Sequence, residues 1–331
     1  MRVRLKPLSE QVVVITGASS GIGLATAEMA ARRGARVVLS SRDESDLRTA
    51  RERIRAGGGQ AAWFPADVAD MEAMRGLAQL ALTEFGAIDT WVNNAGISIV
   101  GRLEDVSLED ARRLFETNYW GVVHGSLIAL PQLEAGGALI NIGSILSDTG
   151  YPLQGHYTAS KHAVKGFTDS LRLEVEESGR PISVTLIQPA AIDTLYPEHA
   201  KSYLGVEPKH MPPVYAPEVV ARAILHCAEH PERDVLIGGG AKVFALTEQV
   251  TPRLGDRLKE AAYFRGQHSD VPDRHTETLH APRPRDGRVR GNYTGRVFEH
   301  SAYTAARLHR NRTLLGIAVI GAGLMLAARR D

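Results

Sequence analysis

Residues 11–33 leave few folds open. Gln11 to Ile15 is a short, valine-rich apolar run, the pattern of a buried strand. Thr16-Gly-Ala-Ser-Ser-Gly-Ile-Gly23 follows at once, and apolar spacing from about Leu24 to Arg33 then predicts a helix. Strand, glycine-rich turn and helix in that order open a doubly wound α/β fold, and such a turn builds a dinucleotide site. Gly17 permits the tight turn, Gly21 lets backbone approach a pyrophosphate, and Gly23 lets the helix pack closely on the strand. The free N–H groups of the helix N-terminus then face the anion. The bland alternative is a turn of the same shape with no ligand.

The second strand is predicted over Arg36 to Ser41. Folds that bind NAD place an acid at the end of this strand to hold the ribose 2′-hydroxyl. Here the position reads Ser40-Ser41-Arg42, with no carboxylate to repel a 2′-phosphate and a guanidinium able to pair with it, which favours NADP(H) over NAD(H). Arg42 capping or solvating the next helix, from Asp43 to Ala56, is the other reading. Strands are then expected at Ala61 to Phe64, Ile88 to Val92, Gly137 to Ile142, Pro181 to Ile187 and Asp234 to Ile237, with helical patterns between them, among them Met71 to Phe85 and about Leu108 to Leu130. That alternation indicates a parallel sheet covered on both faces, an α/β doubly wound (Rossmann) architecture.

Length and charge narrow the partners. The 331 residues suffice for one large α/β domain plus an appendage. From Arg265 onward there are twelve Arg, no Lys and six acids, a net of +6, so with +1 overall the body carries about −5. A mildly acidic body argues against nucleic acid as a partner. The single cysteine, Cys227, lies in an apolar helical stretch and excludes an intramolecular disulfide and any cysteine-based zinc cluster. No His-Glu-x-x-His arrangement is present, so no metal site is expected. Val12 to Ile15 is too short for the apolar core of a signal peptide, and the body is expected to stay in the cytoplasm.

Tyr157 and Lys161 stand four apart in a stretch that reads as helix, so their side chains share one face. An ammonium beside a phenol favours phenolate, which would lower the tyrosine pKa from about 10 towards working pH. Together with the Thr16–Gly23 turn, Asp67, Asn93-Asn94-Ala95-Gly96, Asn118, Ser144 and Pro189 through Thr194, in this order and over about residues 10–240, the pair makes the chain resemble the short-chain dehydrogenase/reductase family. The resemblance implies a catalytic set of Asn118, Ser144, Tyr157 and Lys161. Ser144 would bond the substrate oxygen, Tyr157 would act as its acid or base, Lys161 would also bind the nicotinamide ribose, and Asn118 would order a water linking Lys161 to solvent. Ser19, Ser20 and Ile22 of the turn, Asp67 at the adenine, Asn93 and Ala95, and Pro189, Ile192 and Thr194 at the carboxamide would complete the cofactor site. Ala190 departs from the family's usual glycine after that proline. The implied reaction passes a hydride between NADP(H) and a carbonyl or secondary alcohol. A non-catalytic NADP-binding sensor or scaffold is the alternative of a different class; an epimerase or dehydratase finds no sugar-nucleotide site.

Thr194 to Pro213 is expected to form a lid, whose Leu195, Tyr196, Tyr203, Leu204 and Met211 suggest room for an apolar substrate. The reductase domain is drawn over 8–264, with helix from Phe244 to Phe264, and residues 265–312 are read as a flexible, basic, polar linker. Thr313 to Ala328 then runs without a charge; as helix it would be about 24 Å long against a hydrocarbon core of about 30 Å. Flanked by Arg312 and Arg329, it is read as a membrane anchor, the alternatives being burial against the body or in an interface between identical chains.

Overall fold

In a computed structural model, which describes residues 3–239 and 252–308, the short apolar runs become one seven-stranded sheet with helices on both faces. Its strands are β1 (Val12–Thr16), β2 (Arg36–Ser41), β3 (Gln60–Pro65), β4 (Thr90–Asn93), β5 (Gly137–Ile142), β6 (Ile182–Pro189) and β7 (Asp234–Ile237). They lie in the order β7-β6-β5-β4-β1-β2-β3, every pair parallel. The order reverses between β1 and β4, and the crevice at such a switch point is where doubly wound sheets bind ligands.

Alternation along β1 divides the core. Val13 and Ile15 enter one layer with Leu24 and Ala27 of α1 (Gly21–Arg32) and with Val220 and Ile224. Val12 and Val14 enter the other with Trp91, with Leu77 of α3 (Met71–Phe85) and with Leu171. Both faces of the strands are buried, so they read as nearly continuous apolar runs. Between β2 and β3, α2 (Glu44–Ala56) begins at Asp43, whose side chain accepts from the Asp46 N–H.

The helix expected over 108–130 is interrupted. It consists of α4 (Leu108–Phe115), a π-helical turn over Glu116–Trp120 and α5 (Gly121–Ala129). The long α6 (Gly155–Glu177) follows β5, and α7 (Pro217–Cys227) precedes β7. Of the helix expected over 244–264, residues 244–251 lie outside the described residues; α8 (Pro252–Gly266) covers the rest.

The flexible linker is a correction. His268–Pro272 pairs antiparallel with Val206–Pro208, Val297–Phe298 lies parallel to Val214–Tyr215, and α9 (Ala302–Leu308) packs on β7. Leu279 is completely buried beside Ile97 and Leu114. The arginines of this stretch find acids: Arg288 meets Glu198 at 2.6 Å, and Arg290 meets Glu299 at 2.7 Å and Glu218 at 3.0 Å. Ion pairs and backbone carbonyls hold this segment, and neither leaves a hydrophobic period in the sequence. The ordered body therefore runs past 264 to 308. The apolar stretch Thr313–Ala328, and with it the anchoring expected of it, lies outside the described residues. Among those described, no helix is long and apolar enough to cross a membrane.

Candidate active site

A cleft with a cavity volume of about 500 Å³ runs along the carboxyl edge of the sheet, from Arg42 and Asp67 at one end to Tyr157, Met211 and Tyr263 at the other. At its centre Gly17 (φ +64°) and Gly21 (φ +54°) turn the chain from β1 into α1. A Cβ on Gly23 would stand 2.1 Å from the Gly17 carbonyl oxygen, so only glycine lets α1 start this close to β1. Gly17, Ser19, Ser20, Gly21 and Ile22 line the cleft, while Gly23 serves the packing beneath it. These are the features that fit a dinucleotide: a bare backbone cradle, the start of α1 and an elongated cavity leading to a hydroxyl-bearing pocket.

Ser144 follows β5 and is 7% exposed. Its Oγ accepts from the Leu146 N–H at 3.1 Å, and its own N–H donates to Ser147 Oγ at 3.2 Å, so it caps a short 3₁₀ turn while facing the cleft. Tyr157 and Lys161 rise from the first turns of α6 onto one face, with the Lys161 Nζ 5.8 Å from the Tyr157 ring centre. That ammonium donates to the Ile142 carbonyl at 3.0 Å. The expected lowering of the tyrosine pKa is overturned: burial pushes the Tyr157 phenol up to about 12, although the nearby Ser144 and Tyr196 hydroxyls, as hydrogen-bond partners, pull it back down. Burial also lowers Lys161 to about 8. Desolvation outweighs the charge of an ammonium that points at a carbonyl. The neutral phenol is accordingly the resting form at neutral pH, a proton donor.

Asn118 sits in the π-helical turn, wholly buried. Its Oδ1 accepts from the Ile97 N–H at 2.9 Å, and its Nδ2 donates to the Ile97 carbonyl at 3.0 Å and to Ser160 Oγ at 3.1 Å. A π turn in a helix is a frequent mark of a functional position. The point where a Gly96 side chain would begin is 3.5 Å from Asn118 Oδ1 and 3.8 Å from Lys161 Nζ, so the space left by the missing side chain adjoins both. The Asn118 amide is thus engaged by protein groups, and any water it orders towards Lys161 would share those atoms.

At the other end, Arg42 stands at the end of β2 as expected, but its guanidinium donates to the carbonyls of Thr278 and, at 3.2 Å, Leu279. Asp67 accepts from the Ala69 N–H at 3.0 Å and pairs with Arg113. Ala95 lines the cleft, its N–H held by Thr16 Oγ1 at 3.1 Å. Asn93 does not line it. It is 3% exposed, accepting from Trp91 Nε1 at 2.8 Å and donating to Asn141 Oδ1 at 2.8 Å inside the sheet layer, so its side chain is turned away from the cleft. Position 93 ends β4, and the strand's alternation turns its side chain inward. Asn94 takes the facing position, donating to the carbonyls of Thr16 and Gly17 at 3.0 and 3.1 Å. Pro189, Ile192 and Thr194 line the middle of the cleft. Ala190 has no left-handed φ to strain it, and its N–H bonds the Ile237 carbonyl at 3.1 Å.

Several groups at the substrate end escape a reading of motifs. The Tyr196 hydroxyl accepts from Ser98 Oγ at 2.7 Å and donates to Gln154 Oε1 at 2.9 Å, and its ring meets that of Tyr157 edge-on at 5.6 Å. His210 stacks on Tyr196 with ring centres 6.0 Å apart, and burial lowers its pKa to about 4. The only signal for them in the sequence was the position of the lid. Among the described residues no group of three or more His, Cys, Asp or Glu is placed to hold a metal ion.

This fold and site define an oxidoreductase, and residues 11–202 match the profile of the short chain dehydrogenase family. The chain belongs to that family and is a short-chain dehydrogenase/reductase enzyme, on a fold that binds NAD(P). It is 44% identical to the uncharacterized oxidoreductase YxnA of Bacillus subtilis (strain 168), across 99% of this chain and 93% of that one. Among solved structures it resembles a short chain dehydrogenase/reductase from Burkholderia phymatum in complex with NAD (TM-score 0.67, 26% identity, 74% of this chain and 94% of that one). It also resembles an alcohol dehydrogenase from the archaeon Thermococcus sibiricus complexed with 5-hydroxy-NADP (TM-score 0.61, 25% identity, 69% and 95%).

Proposed function

We propose that the protein is an NADP(H)-linked oxidoreductase interconverting a carbonyl and a secondary alcohol, with Tyr157 as the group that moves the proton. The observation that carries this reading is the part-buried Tyr157 beside Ser144 and above Lys161 at the end of a dinucleotide-shaped cleft. When bound, the nicotinamide supplies or accepts the hydride at the substrate carbon. Ser144 fixes the substrate oxygen, and Tyr157, held neutral by burial, donates to that oxygen as it becomes an alkoxide. Lys161 stands between the Ile142 carbonyl and the Tyr157 ring, and its positive charge favours the phenolate left behind. Arg42, at the end of a β2 that carries no acid, supports the preference for the 2′-phosphorylated cofactor. Tyr151 and Tyr263, with ring centres 4.7 Å apart, and Met211 give the substrate end an apolar wall, which suits a substrate with an apolar or aromatic body.

The test is Tyr157→Phe assayed over a panel of ketones and aldehydes with NADPH, alongside cofactor titration by fluorescence. Turnover should fall by two to four orders of magnitude, the scale of about 10²–10⁴ for general acid catalysis, while cofactor affinity is retained. A variant that turns over at the parental rate would refute the assignment. An intact protein that binds NADPH and reduces nothing in the panel would favour a sensor.

A further inference from the structure

The segment after α8 does more than pack on the body. It crosses the adenosine end of the cleft, with Thr278, Pro282, Arg283 and Asp286 among the groups that line it. Leu279 anchors the crossing: its side chain is completely buried, and its carbonyl accepts from Arg42 at 3.2 Å and from Arg113 Nε at 3.1 Å. The neighbouring Thr278 carbonyl takes the other terminal nitrogen of Arg42. Further along, the Asp286 N–H donates to Asp46 at 2.9 Å, and the Arg288 carbonyl accepts from the Gly21 N–H at 3.0 Å. Two donors that suit cofactor phosphates, the Arg42 guanidinium and the first N–H of α1, are therefore held by carbonyls of this strap.

A carbonyl is a neutral acceptor, and a phosphate is a charged one that a guanidinium binds in a fork. We propose that the Thr278–Leu279 backbone is a specificity-determining element of the cofactor site: a ligand bearing a 2′-phosphate takes Arg42 away from these two carbonyls, whereas NAD(H), with a 2′-hydroxyl, leaves them on Arg42. This rests on the reading of Arg42 as the 2′-phosphate partner. The Arg288 carbonyl on Gly21 meets the pyrophosphate of either cofactor, but the Thr278–Leu279 carbonyls lower the affinity for NADP(H) alone, because only that ligand must displace them.

Limited trypsin digestion of the unmodified protein tests the displacement, since Arg285 and Arg288 are cleavable points on the strap. Saturating NADP⁺ should accelerate cleavage there several-fold more than saturating NAD⁺ does. Equal effects of the two ligands, or protection by NADP⁺, would overturn the proposal. Fluorescence titration of Leu279→Ala gives the second arm: NADP⁺ should bind several-fold more tightly with NAD⁺ unchanged, and parallel shifts, a weakening or no shift would count against it. Arg42→Ala separates this inference from the reading beneath it. If the substitution weakens NADP⁺ selectively while the other two arms show nothing, the strap has no part in cofactor choice and Arg42 keeps its role. If it weakens both cofactors equally, the assignment of Arg42 fails, and the role of the strap fails with it.

Discussion

Asp110 shows how one carboxylate ties distant parts of the molecule together. It lies in the first turn of α4, 3% exposed, 2.7 Å from His280 of the strap and 2.7 Å from Lys201 of the lid, with the Tyr203 hydroxyl also bonded to it. Burial alone would raise its pKa, but the bonds from His280, Lys201 and Tyr203 and the Lys201 charge hold it down at about 2. A folded value below the unfolded one, which is near 4, stabilises the protein fully above pH 4 and progressively less as pH falls from 4 towards 2. Asp110→Asn should therefore cost about 2 kcal/mol at neutral pH. Urea unfolding at a series of pH values should show the gap between the two proteins closing below pH 4. A gap that stays constant down to pH 3 would mean that the ion pairs contribute nothing. At the same scale, the shared face of Tyr157 and Lys161 was legible because helical spacing decides it. The direction of the Tyr157 pKa was not, because burial of the phenol depends on how Tyr196 and the lid fold over it.

Elements are read more securely than their neighbours in space. The seven strands and the helices between them were legible because each carries its own apolar period, and α3 matches its expected span from Met71 to Phe85. The strap was not: its order comes from Arg42, Asp46 and Gly21, residues that belong to other elements and give no local signal. The inward turn of the Asn93 side chain was hidden for a related reason, since a motif fixes which residue is present but the strand's pleat fixes which face it takes. Two glycines illustrate the same division. Gly166 is exposed in the middle of α6, and a Cβ there would meet nothing within 4 Å, so Gly166→Ala should stabilise the protein by about 0.5–1 kcal/mol. Gly23 also lies in a helix, but there the added Cβ would strike the Gly17 carbonyl oxygen, so Gly23→Ala should destabilise by about 1–3 kcal/mol and disturb the cofactor cradle. Thermal unfolding of both variants checks the pair, and shifts of the same sign would contradict it.

Across the whole molecule, contacts range from local to nearly the full length of the chain. Neighbouring strands such as β1 and β2 join residues close in sequence, whereas Arg42 with Leu279 and Asp46 with Asp286 span 237 and 240 positions. Closing such long loops is entropically costly and slow. In pulsed hydrogen exchange during refolding, the amides of β1 and β2 should gain protection before those of Asp286 and Gly291, which bond to Asp46 and Asp193. Simultaneous protection would show that strap and sheet form together. The same geometry gives the enzyme an order of assembly. A chain made from its N-terminus completes β7 at Ile237 well before the Thr278–Leu279 carbonyls that cross the cleft leave the ribosome, and at about 5–20 residues per second that interval lasts seconds. A newborn molecule thus presents Arg42 and the glycine turn bare, and its first encounter with a dinucleotide is uncontested; every later one must reckon with the chain's own final stretch.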